Sequence, residues 1–243
     1  MKRVFLGTLL AGLLASSAAY ADSVDVAVAA NFTKVAEELA VRFKTETGHD
    51  LVLSFGATGQ LYTQITQGAP FEILLAADDE RPTRAVKDGF GVDGSVFTYA
   101  IGTLALYSTS LVVGDGEAVL KGPFDKLAIA DPEAAPYGKA AVQTLKAMGI
   151  YDMVAPRLVT GENISQTLQF VESGNAELGF VAVSQVMGKD SVWLVPSGFH
   201  EPIRQDAVLL KTGQANPAAT AFIDFLKSDK AVAVIKAAGY AVD

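Results

Sequence analysis

The sequence predicts an α/β protein of two lobes, built from parallel strands wrapped by helices. Three observations carry that reading. Short apolar, strand-like runs alternate with stretches of helical periodicity along the chain, the order that lays parallel strands beneath crossover helices. Four of the strand-like runs lead through a short turn straight into a helix start, which is how the ligand edge of an open α/β sheet is made. One unusually long apolar run, Thr98 to Tyr107 (TYAIGTLALY), suits a crossing from a first lobe to a second. The 243 residues are ample for one large domain or two small ones.

The first residues stand apart from this pattern. Lys2-Arg3, an apolar run from Val4 to Ala15, and Ala19-Tyr20-Ala21 before Asp22 make a cleavable secretory signal. The apolar run is short for a membrane span. Residues 1–21 are therefore expected to be removed, leaving a mature chain of about 220 residues. The absence of cysteine excludes disulfides, thiolate metal sites and a cysteine-linked lipid anchor. Export without disulfides points to the periplasm of a Gram-negative bacterium. The net charge of −8 argues against nucleic acid and anionic membrane surfaces as partners.

Val24 to Val28 reads as the first strand, followed by the turn Ala29-Ala30-Asn31-Phe32. The next helix sets Val35, Ala36, Leu39, Ala40 and Phe43 on one face and stops at Gly48. Leu51 to Leu53 is a strand, and Ser54-Phe55-Gly56-Ala57-Thr58-Gly59 turns it into a helix with Leu61 and Ile65 inward. Phe71 to Ala76 is a buried strand, and Pro82 opens a short helix near Thr83 to Lys87. Beyond the crossing run, Leu127 to Ala130, Arg157 to Thr160 and Leu178 to Val183 read as strands. Helices are expected over Ala140 to Met148 and from Ile164 through Leu168 and Val171, with Ser184 placed to cap another. Val192 to Val195 and Ala207 to Leu210 are late strands, the second crossing back to the first lobe. Pro217 to Lys227 and Lys230 to Ala238 close the chain as helices.

The turns at Ala30-Asn31, Thr58-Gly59, Tyr137-Gly138 and Ile164-Ser165 would each offer unpaired N–H groups at the carboxyl end of a strand. Two come from each lobe, so a shared ligand would sit in the cleft. None of these turns contains Lys or Arg, which suits a dianion held by neutral donors and helix dipoles. The alternative is that Asn31 and Thr58 are ordinary helix caps. Catalytic readings have less behind them. No nucleophile elbow, phosphate loop or zinc-protease motif is present. His49 and His200 are the only histidines, and His200 beside Glu201 reads as a surface or loop pair. Asp78-Asp79-Glu80 reads as a solvated loop or a cap before Pro82 rather than a metal site, and Asp131-Pro132-Glu133 as a turn. A hydrolase using Asp78 or Asp131 with His200 is the competing class.

Several segments in order, Val28-Ala29-Ala30-Asn31-Phe32, Ser54 to Gly59, Gly68-Ala69-Pro70, Ala77-Asp78, Asp131-Pro132, Ala135-Pro136-Tyr137-Gly138, Gly179-Phe180-Val181-Ala182 and Lys236-Ala237-Ala238-Gly239-Tyr240, carry a family likeness. With the signal peptide, the chain resembles the periplasmic molybdate-binding proteins of molybdate ABC importers over nearly all its mature length. The resemblance implies a Venus-flytrap fold of the periplasmic binding class with two crossover strands. It puts residues 22–100 and 206–243 in a discontinuous first lobe and 101–205 in the second. It also implies capture of molybdate, and tungstate, for an inner-membrane permease with its ATPase, by a monomer with no cofactor, no direct metal ligand and no catalytic activity. Carried over by position, Asn31 and Thr58 would contact the anion from the first lobe and Tyr137 and Ile164 from the second, Ile164 through its backbone N–H alone. Three positions depart from the family pattern. Ala30 and Thr58 stand where relatives have a hydroxyl residue and serine, and Ala182 where others have tyrosine, for which Tyr137 is the replacement. A receptor for another tetrahedral oxyanion such as sulfate is the nearest rival.

Overall fold

Both ends of the chain contribute to the first sheet, while the middle forms the second. The structure is a computed structural model that describes residues 22–242. The signal segment expected over residues 1–21 lies outside the described residues. In chain order the first elements are β1 (Ser23–Ala29), α1 (Thr33–Thr47), β2 (Asp50–Gly56), α2 (Thr58–Thr66), β3 (Ile73–Leu75), α3 (Glu80–Lys87) and β4 (Phe97–Gly102). The middle elements are β5 (Leu104–Tyr107), α4 (Gly116–Lys121), β6 (Leu127–Ala130), α5 (Pro136–Ala147), α6 (Tyr151–Val154), β7 (Leu158–Gly161), α7 (Ile164–Glu172), β8 (Leu178–Ala182) and β9 (Val192–Leu194). The chain ends with β10 (Ile203–Leu209), α8 (Pro217–Leu226) and α9 (Asp229–Ala237).

The two five-stranded sheets run β2-β1-β3-β10-β4 and β7-β6-β8-β5-β9. This is the two-lobed α/β architecture expected from the alternation, with one refinement. The sheets are mixed: β1, β2 and β3 pair in parallel, but β10 is antiparallel to β3 and β4. Likewise β6, β7 and β8 pair in parallel, but β5 is antiparallel to β8 and β9. β5 and β10 are the strands that follow the passages between sheets. Neither is brought in by a helical crossover, the connection that parallel neighbours require.

The apolar run Thr98 to Tyr107 is therefore two strands in two sheets. It breaks at Thr103, whose carbonyl accepts from the Val183 N–H at 3.0 Å. The return strand begins at Ile203, ahead of the expected Ala207. Ser184 does not cap a helix. It lies in a 3-10 turn, Val183–Gln185, and its hydroxyl donates instead to the Asn31 carbonyl at 3.2 Å. α4, absent from the expected elements, is a six-residue helix started by Asp115, whose side chain accepts from Ala118 N.

Each lobe has its own core. In the first, α1 ends at Gly48, whose φ of 79° is the left-handed cap that glycine adopts freely. Its buried face, with Leu39 and Phe43, packs on α8, where Phe43 and Phe222 meet edge-on at 5.2 Å between ring centres. Fully buried side chains of this size contribute about 1.5–3 kcal/mol each, so α8 pins the C-terminal part of the chain to the first lobe. Leu104, Leu106, Leu127, Ile129 and Phe180 centre the second core. The carboxyl ends of β1 and β2 then face those of β6 and β7 at close range. Gly59 N–H, at the start of α2, donates to Ala134 O before α5 at 2.8 Å, and the Ser165 hydroxyl donates to Ala30 O at 3.1 Å.

Candidate functional site

The donor groups at the lobe junction follow from how each helix begins. In α2 the first intrahelical bond runs from Leu61 N to Ala57 O at 3.0 Å, and Gly59 N–H is spent on Ala134. The N–H groups of Thr58 and Gln60 thus lie outside the helix's own pairing. The buried Thr58 hydroxyl accepts from Ala77 N–H at 3.0 Å, so its own hydrogen remains to be donated. In α7 the Asn163 side chain takes the Ser165 and Gln166 N–H groups at 3.0 and 3.1 Å, and Asn163 O takes that of Thr167. That arithmetic leaves the Ile164 N–H at the open end of the helix.

α5 opens with Pro136, which has no N–H, and both Gly138 and Lys139 N–H return to Ala135 O. Tyr137 N–H is left over, and the Tyr137 hydroxyl accepts from Gln205 Nε2 at 3.2 Å. After β1 the chain makes a 3-10 turn, Ala30–Phe32, closed by Thr33 N–H on Ala30 O. Asn31 Nδ2 donates to Gln205 Oε1 and to the Tyr240 hydroxyl, each at 2.9 Å. Both of its side-chain hydrogens are so engaged, and Asn31 brings its first-turn main-chain N–H to the junction.

Asn31, Thr58, Tyr137 and Ile164 meet around one small cavity, lined from the first lobe by Ala29 to Asn31, Gly56 to Thr58 and Ala77, and from the second by Ala135 to Tyr137, Asn163 and Ile164. Among the described residues that line it, none carries a charge. Neither Asn31 nor Thr58 acts as a helix cap: no side-chain cap bond starts the 3-10 turn or α2. The nearby Arg81 is balanced by Asp78 at 2.6 Å, and it donates to Glu133 O across the lobes at 2.9 Å. Burial pushes the Asp78 carboxyl above its ordinary range, against the pull of Arg81. A wider groove of about 570 Å³ opens alongside, with Asp79, Glu80, Lys139, Lys146 and Glu201 on its walls. It mixes charges of both signs and lies outside the meeting of the four turns.

Behind the small cavity lies a buried polar network that the sequence reading missed. The Tyr99 hydroxyl donates its one hydrogen to Ala76 O at 2.9 Å and lies 3.3 Å from Gln205 Oε1. The Tyr240 hydroxyl donates to Asn31 O at 2.9 Å and sits 2.9 Å from the Ser184 hydroxyl. Burial holds the phenols of Tyr99 and Tyr137 well above their usual pKa and that of Tyr240 at about 12, so all three are neutral. The available signal was the polar stretch Arg204-Gln205-Asp206 directly ahead of the apolar run Ala207 to Leu210.

The candidate catalytic residues are elsewhere. His200 Nδ1 lies 2.7 Å from Glu201 O, His49 Nδ1 accepts from Asp22 N–H, and Asp131 Oδ1 accepts from Glu133 N–H in a tight turn. Asp78 accepts from Arg81 N–H at the start of α3, in keeping with a capping role. No group of three or more His, Cys, Asp or Glu poised for a metal occurs among the described residues. What converges instead is a set of uncharged donors at helix N-termini, where the dipole is positive. That chemistry holds a small anion that needs no proton acceptor.

Known proteins share this fold. Residues 24–241 match the family model for bacterial extracellular solute-binding proteins. A molybdate-binding protein ModA of Rhodobacter capsulatus is 51% identical over 228 residues, covering 93% of this chain and 90% of the relative. One from Azotobacter vinelandii is 52% identical over 237 residues, covering 95% and 94%. The solved structure of a periplasmic molybdate-binding protein of Azotobacter vinelandii superimposes with a TM-score of 0.88 at 38% identity, over 90% of this chain and 99% of that one. Matched nearly end to end, this chain belongs to the bacterial extracellular solute-binding protein family, among relatives named for binding molybdate.

Proposed function

We propose that the chain is the periplasmic receptor of a molybdate ABC importer, which captures molybdate, and tungstate of nearly equal size and charge, between its lobes. The observation that carries this reading is the meeting of four uncharged helix starts at one cavity, in a chain half identical to molybdate-binding relatives. The Thr58 hydroxyl and the main-chain N–H groups of Asn31, Tyr137 and Ile164 donate to the anion's oxygens. Hydrogen bonds to a charged group contribute about 1.5–3 kcal/mol each, so a few of them with the helix dipoles suffice without a counter-charge. The lobes, one built on the sheet of β1 to β4 with β10 and the other on the sheet of β5 to β9, close on the anion, and the closed form is what the inner-membrane permease and its ATPase recognise. The receptor works as a monomer in the periplasm of a Gram-negative bacterium after loss of residues 1–21, and it neither catalyses a reaction nor carries a cofactor.

Calorimetric titration of the mature protein with molybdate, tungstate, sulfate and phosphate tests this. One tight site for the first two, with no heat from the others, is the expected result. Tight sulfate binding without a molybdate response would overturn the assignment and keep the anion site.

A further inference from the structure

The Asn31 N–H belongs to the peptide that joins Ala30 to Asn31, and the carbonyl at the other side of that peptide is Ala30 O. In a trans peptide the two groups point in opposite directions. Ala30 O accepts from Thr33 N–H within the 3-10 turn and from the Thr33 hydroxyl at 2.8 Å. It also accepts from the Ser165 hydroxyl of the second lobe at 3.1 Å. Neither Thr33 nor Ser165 lines the small cavity, whereas Ala29, Ala30 and Asn31 do. The carbonyl is thus drawn away from the cavity, and the N–H is turned to the opposite side. The Ser165 hydroxyl is given its direction as well. The Gln185 side-chain oxygen is spent on Ala182 N–H at 3.1 Å, so its amide N–H faces the Ser165 oxygen at 3.4 Å. The hydroxyl hydrogen is left for Ala30 O. Ser165 also follows Ile164, whose N–H is the donor from the opposite lobe, and Asn163 holds its own N–H.

We propose that Ser165 is a positioning residue of the anion site, which reaches across the lobe junction to hold and polarise the Ala30–Asn31 peptide and so makes the Asn31 N–H a stronger donor. This rests on the anion-receptor reading above. A hydrogen bond accepted by a peptide oxygen draws electron density toward it and strengthens the bond given by the N–H of the same peptide, by about 10–30%. Ser165 needs no contact with the anion to do this. It makes a donor of the first lobe depend on the helix that carries Ile164 in the second. Capture of the anion and the meeting of the lobes thereby become one step.

The test compares Ser165→Ala and Thr33→Ala by molybdate calorimetry and by the proton chemical shift of the Asn31 amide in the molybdate-bound, isotope-labelled protein. Thr33→Ala removes a donor to the same carbonyl from within the first lobe, whereas Ser165→Ala removes a donor and a bond between the lobes. Alanine forms helix at least as well as serine or threonine, so neither change costs helix propensity. Ser165→Ala should weaken molybdate binding about fivefold and Thr33→Ala about twofold. Both should move the Asn31 amide proton upfield, the mark of a weaker hydrogen bond, and by more than they move that of Thr58 at the same cavity. Should Ser165→Ala fail to melt cooperatively, Ser165→Cys, whose thiol is a weak donor, makes the same comparison. Molybdate affinity unchanged in the Ser165 variant, or weakened with the Asn31 amide unmoved, would overturn the inference while leaving the receptor intact. No molybdate heat from the unchanged protein would overturn the receptor reading itself.

Discussion

Thr58 shows how a single hydroxyl is given a direction. Its oxygen is occupied by Ala77 N–H at 3.0 Å, and its hydrogen is the only part left for a ligand. Thr58→Ala should therefore weaken molybdate binding by about 1.5–3 kcal/mol, or about ten- to a hundredfold. Thr58→Ser, which keeps the hydroxyl, should stay within about threefold of the unchanged protein in the same titration. The phenols yield a prediction of a different kind. Tyr240 is buried, and burial pushes its phenol up to about 12, above the value of about 10 that a tyrosine has in an unfolded chain. A raised folded-state value means that the protonated phenol is favoured by folding, so its contribution is intact below pH 10 and is lost as pH rises from about 10 to about 12. Over that window Tyr240 alone should remove about 2–3 kcal/mol of stability. Denaturant unfolding at successive alkaline pH values checks this, and Tyr240→Phe should flatten the decline.

At the scale of elements, the start of α7 sets the Ile164 N–H. Asn163 ties down the next two N–H groups at 3.0 and 3.1 Å, which orients the whole first turn. Asn163→Ala should cost about 1 kcal/mol of stability and lower the melting temperature by about 2–4 °C. It should also weaken molybdate binding a few-fold, because the freed N–H groups no longer hold the turn in place. Asn163→Asp, which keeps the cap, should restore the melting temperature. The strand-to-helix alternation behind such turns was legible in the sequence because each piece is local: Gly48 stops α1, Pro217 opens α8, and the four turns stand between an apolar run and a helical face. The break at Thr103 was not legible, since Leu104 to Tyr107 is as apolar as the strand before it and only pairing with β8 and β9 assigns it to another sheet. Asn31, Thr58, Tyr137 and Ile164 could be singled out because they sit at helix starts. Gln205 could not, because its partners Asn31 and Tyr137 lie 174 and 68 residues away and no local pattern joins them. Ser184 was misread for the same reason: its hydroxyl serves a carbonyl 153 residues off rather than the turn beside it.

Across the whole molecule, the two lobes are joined at their ligand edges by a short set of direct bonds, and Arg81 makes the one that carries charge among the bonds described above. Its guanidinium spans from Asp78 in the first lobe to Glu133 O in the second, at 2.6 and 2.9 Å. A bond made only when the lobes are together raises the fraction of closed protein, and apparent affinity scales with that fraction. Arg81→Ala should leave every donor to the anion in place and still weaken molybdate binding about fivefold, on the order of 1 kcal/mol for a partly solvated charged bond. It should also make binding depend on pH. Asp78 is already raised by burial and held down by Arg81, so removing the arginine raises it further. Above that value an unbalanced carboxylate sits beside the helix starts that receive a dianion, and below it the group is neutral. Affinity of the variant should thus improve as pH falls toward the carboxyl's range, while that of Arg81→Ala combined with Asp78→Asn should be flat. Small-angle scattering with and without molybdate separates the two contributions: a variant that is more open at subsaturating anion yet closes fully at saturation has lost a latch, whereas one equally closed throughout, with weaker binding, would show that Arg81 acts on the anion through charge alone.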